Sequence, residues 1–251
     1  TVDAAALCLK AGNAVVLRGG TEAFHSNQAL GCELRAAARD TGIPEDAITI
    51  LPTTDRAAID VMLKLNDSID LVIPRGGSGL IRKVIAESTI PVIAHDAGVC
   101  HVFLDESADP DMAVGIVHES KLRQMPVCNG LETLLCHRGA SATVLPNVLK
   151  NLHEHGVEIR GCATTCELFG DAVPAAEADW AEEFLAPVLA VRVVDSMDAA
   201  IEHIRTYGSD HTEIIVTENY TNSQNWLRRV NSSTVGVNCA TGFSDGFQLG
   251  L

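Results

Sequence analysis

Basic residues are scarce in this chain. Across 251 residues, 18 lysines and arginines stand against 33 aspartates and glutamates, for a formal net charge of −15 and a pI near 4.9. That balance argues against a nucleic acid or an anionic membrane as the main partner. No apolar run approaches the roughly 18 residues of a membrane-crossing helix, and nothing at the start reads as an export signal. Internal repeats and low-complexity linkers are lacking, as are the GxGxxG and P-loop patterns. The eight cysteines are scattered, with Cys8, Cys100, Cys136 and Cys239 in or beside apolar runs. Such usage fits reduced thiols and a cytoplasmic location better than a disulfide framework. What is abundant is apolar material: at 47% hydrophobic the chain can bury a sizeable core as one large domain or two modest ones.

The patterning alternates. TVDAAALCLKAG reads as the end of a buried helix stopped by Gly12, with no cap and no preceding strand, as though the chain were cut into something longer. Strands are expected at 13–17, 48–51, 69–73, 91–94 and 99–104, and helices at 22–40, 54–65 and 80–87. Asp109-Pro110 opens a further helix, with Met112, Ala113, Ile116 and Val117 on one face. Strands at 131–137, 157–160, 189–194, 214–217 and 235–237 then alternate with helices at 144–155, 197–207 and 222–230. Residues 161–187 are the least regular part. Short continuous apolar strands between helices imply a parallel sheet covered on both faces.

Three local patterns carry chemistry. Pro126 and Asn129-Gly130 break regular structure on either side of Cys128, between a helix and a strand. Cys128 is either a nucleophile held at a cleft or one more small buried hydrophobe. Arg18-Gly19-Gly20 and Arg75-Gly76-Gly77-Ser78-Gly79 each follow a strand and precede a helix. They are either turn geometry or two phosphate-binding turns in one sheet, with an arginine as a charge-assisted fork. Cys162 and Cys166 with His153 and His155 have to be weighed as zinc ligands. The His-x-His pair diverges within a helical pattern and no second cysteine pair matches, so no metal is expected. His25, His95, His101 and His211 are isolated and read as hydrogen-bonded or solvated.

Residues 126–135 (PVCNGLETLL) resemble the active-site segment of the γ-glutamyl phosphate reductase family, also called glutamate-5-semialdehyde dehydrogenase. So do residues 12–20, 70–77 (DLVIPRGG), 98–109 (GVCHVFLDESAD), 207–218 (YGSDHTEIIVTE) and 243–251 (FSDGFQLGL), in the same order. The resemblance covers essentially the whole chain and places it in the aldehyde dehydrogenase superfamily. It implies an α/β fold, with a Rossmann-like parallel-sheet NADP-binding domain at 1–127, an α/β catalytic domain at 128–230, and a return strand and substrate-entrance loop at 231–251.

The activity so implied is NADPH-dependent reduction of L-glutamyl 5-phosphate to glutamate 5-semialdehyde in proline biosynthesis. Cys128 would form the thioester and its main-chain N–H would serve as an oxyanion donor. Arg18, Gly19, Gly20, Thr21, Arg75, Gly76, Gly77, Ser78 and Glu183 would bind the cofactor, with Thr21 leaving room for a 2′-phosphate. Asn129, Ser244, Asp245 and Gly246 would border the substrate. Aldehyde-oxidising relatives carry a water-activating glutamate where this chain has Ala94–Gly98, with only Asp96 close by; that difference favours reduction. The family further implies a homo-oligomer and coupling to glutamate 5-kinase. Gly242 stands where an arginine is usual. The family's Arg-Pro-Asn-Val segment, with its second oxyanion donor, would precede Thr1, and a Gly-Ala-Glu segment would follow Leu251. Two alternatives are the reductase half of a bifunctional pyrroline-5-carboxylate synthase and a non-catalytic nucleotide-binding fragment of the same fold.

Overall fold

The computed structural model of the chain describes residues 1–94 and 97–249. These fall into two compact units that divide after Ala94. Residues 100–104 lie in parallel register with residues 131–137, so the segment before Cys128 is tied by strand pairing to the strand that follows it.

The first unit opens with α1 (Val2–Lys10), which ends in Gly12 at φ +79°. Only Ala5 of this helix is buried, so it lies on the surface and is not the buried helix its apolar letters suggest. β1 (Val15–Leu17) pairs in parallel with β2 (Ile48–Ile50), and α2 (Phe24–Asp40) connects them, with Gly42 at φ +81° beyond its end. A left-handed residue that carries no Cβ is the ordinary way to stop a helix. Ala5, Ala38 and Ile48 form a small core, flanked by Leu9, Val15, Leu17 and Leu34. Then come α3 (Ala57–Met62) and α4 (Ser78–Glu87). The strands expected at 69–73 and 91–94 reduce to one isolated parallel bridge, Val72 to Val92. Leu71, Ile73 and Ile93 are exposed, so these segments lack the cover that their apolar runs imply. The two glycine stretches consequently do not follow strands of one sheet.

The second unit is built on β3 (Cys100–Leu104), α5 (Pro110–Leu122), β4 (Leu131–His137), α6 (Arg138–Ser141), α7 (Leu145–Glu154), β5 (Glu158–Gly161), α8 (Ala163–Leu168), β6 (Val173–Pro174), β7 (Val188–Val194), α9 (Met197–Tyr207), β8 (Thr212–Val216), α10 (Tyr220–Arg229), β9 (Thr234–Val237) and α11 (Gly246–Leu249). Every strand pair is parallel, in the order β6-β5-β7-β4-β3-β8-β9. Period-two alternation sends side chains to opposite faces. Val102, Leu104, Leu134, Cys136 and Val191 pack on one face with Val117 of α5 and Val148, Leu149 and Leu152 of α7. Phe103, Leu135 and Ile215 pack on the other with Ile201 and Ile204 of α9 and Trp226 of α10. The Phe103 and Trp226 rings stack at 5.5 Å.

The two ends of β3 differ. At its carboxyl end Asp105, 3% exposed, accepts from Ser107 Oγ (2.8 Å), Thr217 Oγ1 (2.6 Å) and Asn222 Nδ2 (3.0 Å). Burial would raise this carboxyl, but those hydrogen bonds outweigh it and hold it below the usual carboxylate range. His101 and Glu213, cross-strand partners on β3 and β8, meet at 2.9 Å with both side chains fully buried. The carboxyl end is thus closed by the polar staple around Asp105.

Candidate active site

The register of the central strands brings the chemistry together. Cys100 of β3 pairs with Leu131 of β4, so the residues just before these strands, Gly98 and Cys128–Gly130, are forced side by side. Residues 183–187 lead into β7, the other neighbour of β4, and Ser209 to His211 lead into β8, the other neighbour of β3. Four loops therefore meet at the amino ends of four adjacent parallel strands.

Cys128 sits in a turn closed by the Gly130 N–H donating to Val127 O at 3.0 Å. It is exposed, which removes the buried-hydrophobe alternative. Its carbonyl is gripped from below. The Cys100 thiol donates to Cys128 O at 3.2 Å, and burial pushes that thiol's pKa well up, so it keeps its proton for the bond. Gly98 approaches so closely that a Cβ there would stand 2.0 Å from Cys128 O. Only a residue without a side chain fits. Gly98→Ala is expected to displace the Cys128 peptide and change its iodoacetamide labelling rate by on the order of tenfold or more; a wild-type rate at Cys128 would contradict this packing.

Glu183 is half-buried and accepts from the Gly98 N–H at 2.8 Å, so its carboxylate is fixed beside the Cys128 turn and is not a freely solvated acid. Two residues on, Leu185 adopts φ +49°, a left-handed conformation that costs a branched residue about 1–3 kcal/mol. Its N–H donates to Glu132 Oε1 at 3.0 Å, while Glu132 Oε2 takes Lys121 Nζ at 2.8 Å. Lys121 and Glu132 are 1% and 0% exposed. Burial pushes the lysine pKa down and the carboxyl up, and their attraction offsets this only in part. Gly98, Cys100 and Glu132 fall within the segments that carry the resemblance, but none of them, nor Lys121 or Leu185, was given a role of its own from the sequence.

Of the remaining expected residues, Asn129 and Asp245 line one cavity together with Arg123 and Gly242. Ser244 Oγ donates to Thr241 O at 3.0 Å, and Gly246 begins α11. In the first unit Arg18 follows β1 and donates through Nη2 to Thr54 O, while its Nε is buried without a partner among the described residues. Gly19 and Gly20 are half-buried and Thr21 is exposed. A Cβ on Gly20 would come within 2.2 Å of the Glu22 carboxylate, an acid not singled out in the sequence. Arg75 and Gly76 are exposed, Gly76 has φ +152°, and Gly77 precedes α4, which opens at Ser78. A Cβ on Gly77 would meet nothing within 4 Å, so the backbone at this helix start is open to a ligand. Cys162 accepts from the Val193 N–H and Cys166 donates to Gly161 O, each within the local fold. His95 and Asp96 lie outside the described residues.

The pattern of the aldehyde dehydrogenase family matches residues 1–161. Over all 251 residues the chain is 54% identical to the γ-glutamyl phosphate reductase of Desulfatibacillum aliphaticivorans, covering 100% of this chain and 60% of that protein. It is 51% identical to the enzyme of the same name from Caldanaerobacter subterraneus subsp. tengcongensis, covering 100% of this chain and 61% of that one. The crystal structure of the γ-glutamyl phosphate reductase of Thermotoga maritima matches with a TM-score of 0.95 at 42% identity, over 99% of this chain and 60% of that one. The chain thus spans about 60% of the length of the curated relatives it matches. With an exposed cysteine in the turn ahead of a parallel strand and a family pattern across its first 161 residues, the chain belongs to the aldehyde dehydrogenase family.

Proposed function

We propose that this chain carries the thioester-forming core of an NADPH-dependent γ-glutamyl phosphate reductase, which converts L-glutamyl 5-phosphate to glutamate 5-semialdehyde in proline biosynthesis. The observation that carries the reading is the exposed Cys128 turn, braced by Gly98 and Cys100, in a chain whose curated relatives bear that enzyme's name. The Cys128 thiolate attacks the acyl carbon. The new C–S bond forms first, as the carbonyl electron pair moves onto oxygen. Collapse of that tetrahedral intermediate then breaks the C–O bond to phosphate, and inorganic phosphate leaves with that bond's electron pair. The Cys128 main-chain N–H stabilises the oxyanion of the tetrahedral intermediate. When bound, NADPH supplies the hydride that reduces the thioester to the aldehyde. Sulfur suits both steps, being a strong nucleophile whose thioester accepts hydride more readily than an ester does.

Members of this family use NAD or NADP. The orphaned Arg18 Nε and the open glycine backbone ahead of α4 suit the phosphates and ribose of such a cofactor. Arg18, Gly19, Gly20 and Thr21 hold its adenosine end, Arg75, Gly76, Gly77 and Ser78 border its phosphates, and Glu183 holds the nicotinamide ribose. Asn129, Ser244, Asp245 and Gly246 border the substrate. The enzyme works as a cytoplasmic homo-oligomer and takes its acyl phosphate from glutamate 5-kinase. No helix among the described residues is long and apolar enough to cross a membrane.

The test is the reverse reaction. Pyrroline-5-carboxylate, in equilibrium with the semialdehyde, should reduce NADP⁺ only when inorganic phosphate is present. Turnover independent of phosphate would point to a hydrolytic aldehyde dehydrogenase, in which water cleaves the thioester, and absence of turnover would sink the reading.

A further inference from the structure

Two peptide groups flank the Cys128 side chain, and each is held by its carbonyl. The Gly130 N–H donates to Val127 O at 3.0 Å, and the Cys100 thiol donates to Cys128 O at 3.2 Å. We propose that Cys100 is a positioning residue for the nucleophile: its thiol holds the Cys128–Asn129 peptide in one of the two orientations open to this turn. The inference rests on the reading of Cys128 as the acyl acceptor, and it adds what sets the direction of that residue's backbone.

The residue order leaves both orientations open. The bond from the Gly130 N–H to Val127 O makes residues 127–130 a β-turn with Cys128 and Asn129 at its centre. Glycine in the fourth position suits a type I turn, while asparagine in the third tolerates the positive φ that a type II turn demands. The two types differ by about 150° in ψ of the second residue, a rotation that carries the central carbonyl to the opposite side. Asn129 keeps a negative φ, so one orientation has been chosen. The bond that closes the turn is common to both types and does not choose between them.

The choice lies beneath Cys128 O. No other donor among the described residues reaches this oxygen. Cys100 is fully buried at the start of β3. The residues leading to it are fixed by two bonds of 2.8 Å, from the Gly98 N–H to Glu183 Oε1 and from the Val99 N–H to Ser209 Oγ. Beside the sulfur, His211 Nδ1 is farther away, at 3.5 Å, and already meets the Thr212 hydroxyl at 2.8 Å. A thiol is a weak donor, but its loss here would leave a covered carbonyl without a partner. Because the peptide is planar and trans, pinning Cys128 O on β3 points the Asn129 N–H away from that strand.

The test compares Cys100→Ser, which keeps a donor, with Cys100→Ala and Cys100→Val, which do not; valine also fills the space that alanine leaves. Iodoacetamide labelling of Cys128, read by peptide mass spectrometry, should change in rate by about fivefold or more in the alanine and valine variants and by less than about twofold in Cys100→Ser. Cys128–Asn129 is the one Cys–Asn step in the chain, so carbonyl-¹³C cysteine with ¹⁵N asparagine gives a single amide–carbonyl NMR signal from this peptide. That signal should stay single in Cys100→Ser and split or move to a second position in Cys100→Val. Wild-type labelling in Cys100→Val, equal changes in all three variants, or an unmoved signal in Cys100→Val would overturn the proposal. Neither readout involves turnover. Donor-dependent labelling of Cys128 without phosphate-dependent NADP⁺ reduction would therefore remove the reductase reading and leave the role of Cys100 standing.

Discussion

Cys128→Ser is expected to lower phosphate-dependent NADP⁺ reduction by pyrroline-5-carboxylate by three orders of magnitude or more, equivalent to about 4 kcal/mol of transition-state stabilisation. The serine hydroxyl is un-ionised at neutral pH, and the oxygen ester it would form is a poorer hydride acceptor than a thioester. The exchange is small and the position is exposed, so the fold should survive it. Cys32 provides an internal control: it is also exposed, but it lies on α2 of the first unit. Cys32→Ser should keep wild-type activity. Equal losses in the two variants would mean that serine substitution harms the protein generally and that Cys128 has no special role.

Lys121→Met is expected to destabilise the chain by about 3–5 kcal/mol in urea unfolding, because it leaves the Glu132 carboxylate buried without its cation. Restoring apolar balance with Lys121→Met/Glu132→Leu should return stability to within about 2 kcal/mol of wild type, since burial already pushes both groups toward their neutral forms. The double variant still lacks the acceptor for the Leu185 N–H, so the left-handed turn behind Glu183 loses its anchor. Stability and function should then part company, with the fold recovered and NADPH affinity still weakened. Additive losses in the double variant would show that the two side chains do not act as a pair.

These two outcomes mark what could and could not be seen in the residue order. The strand at 131–137 and the helix at 197–207 were legible to the residue, because each has an unbroken period and clear punctuation at both ends. Cys128 was legible as a nucleophile candidate for the same reason, its loop being bracketed by Pro126 and Asn129-Gly130. The apolar runs at 69–73 and 91–94 misled, since an apolar run reports a tendency to be covered and says nothing of whether a neighbour supplies the cover. The pairing of Lys121 with Glu132 was hidden. One reads as a helix-end charge and the other as an acid in a strand, and only packing reveals that they meet. Gly98 escaped likewise, because its close approach is to a carbonyl thirty residues away in the chain.

The central claim, an acyl group carried on Cys128, is tested most directly by withholding the hydride. L-Glutamyl 5-phosphate would be generated in situ by glutamate 5-kinase, with no NADPH present, and the protein quenched in acid and mapped by mass spectrometry. The account predicts a glutamyl adduct on the Cys128 peptide, with inorganic phosphate released in proportion, and neither in Cys128→Ser. Phosphate released by the wild type with no adduct at Cys128, or an adduct on another residue, would contradict it.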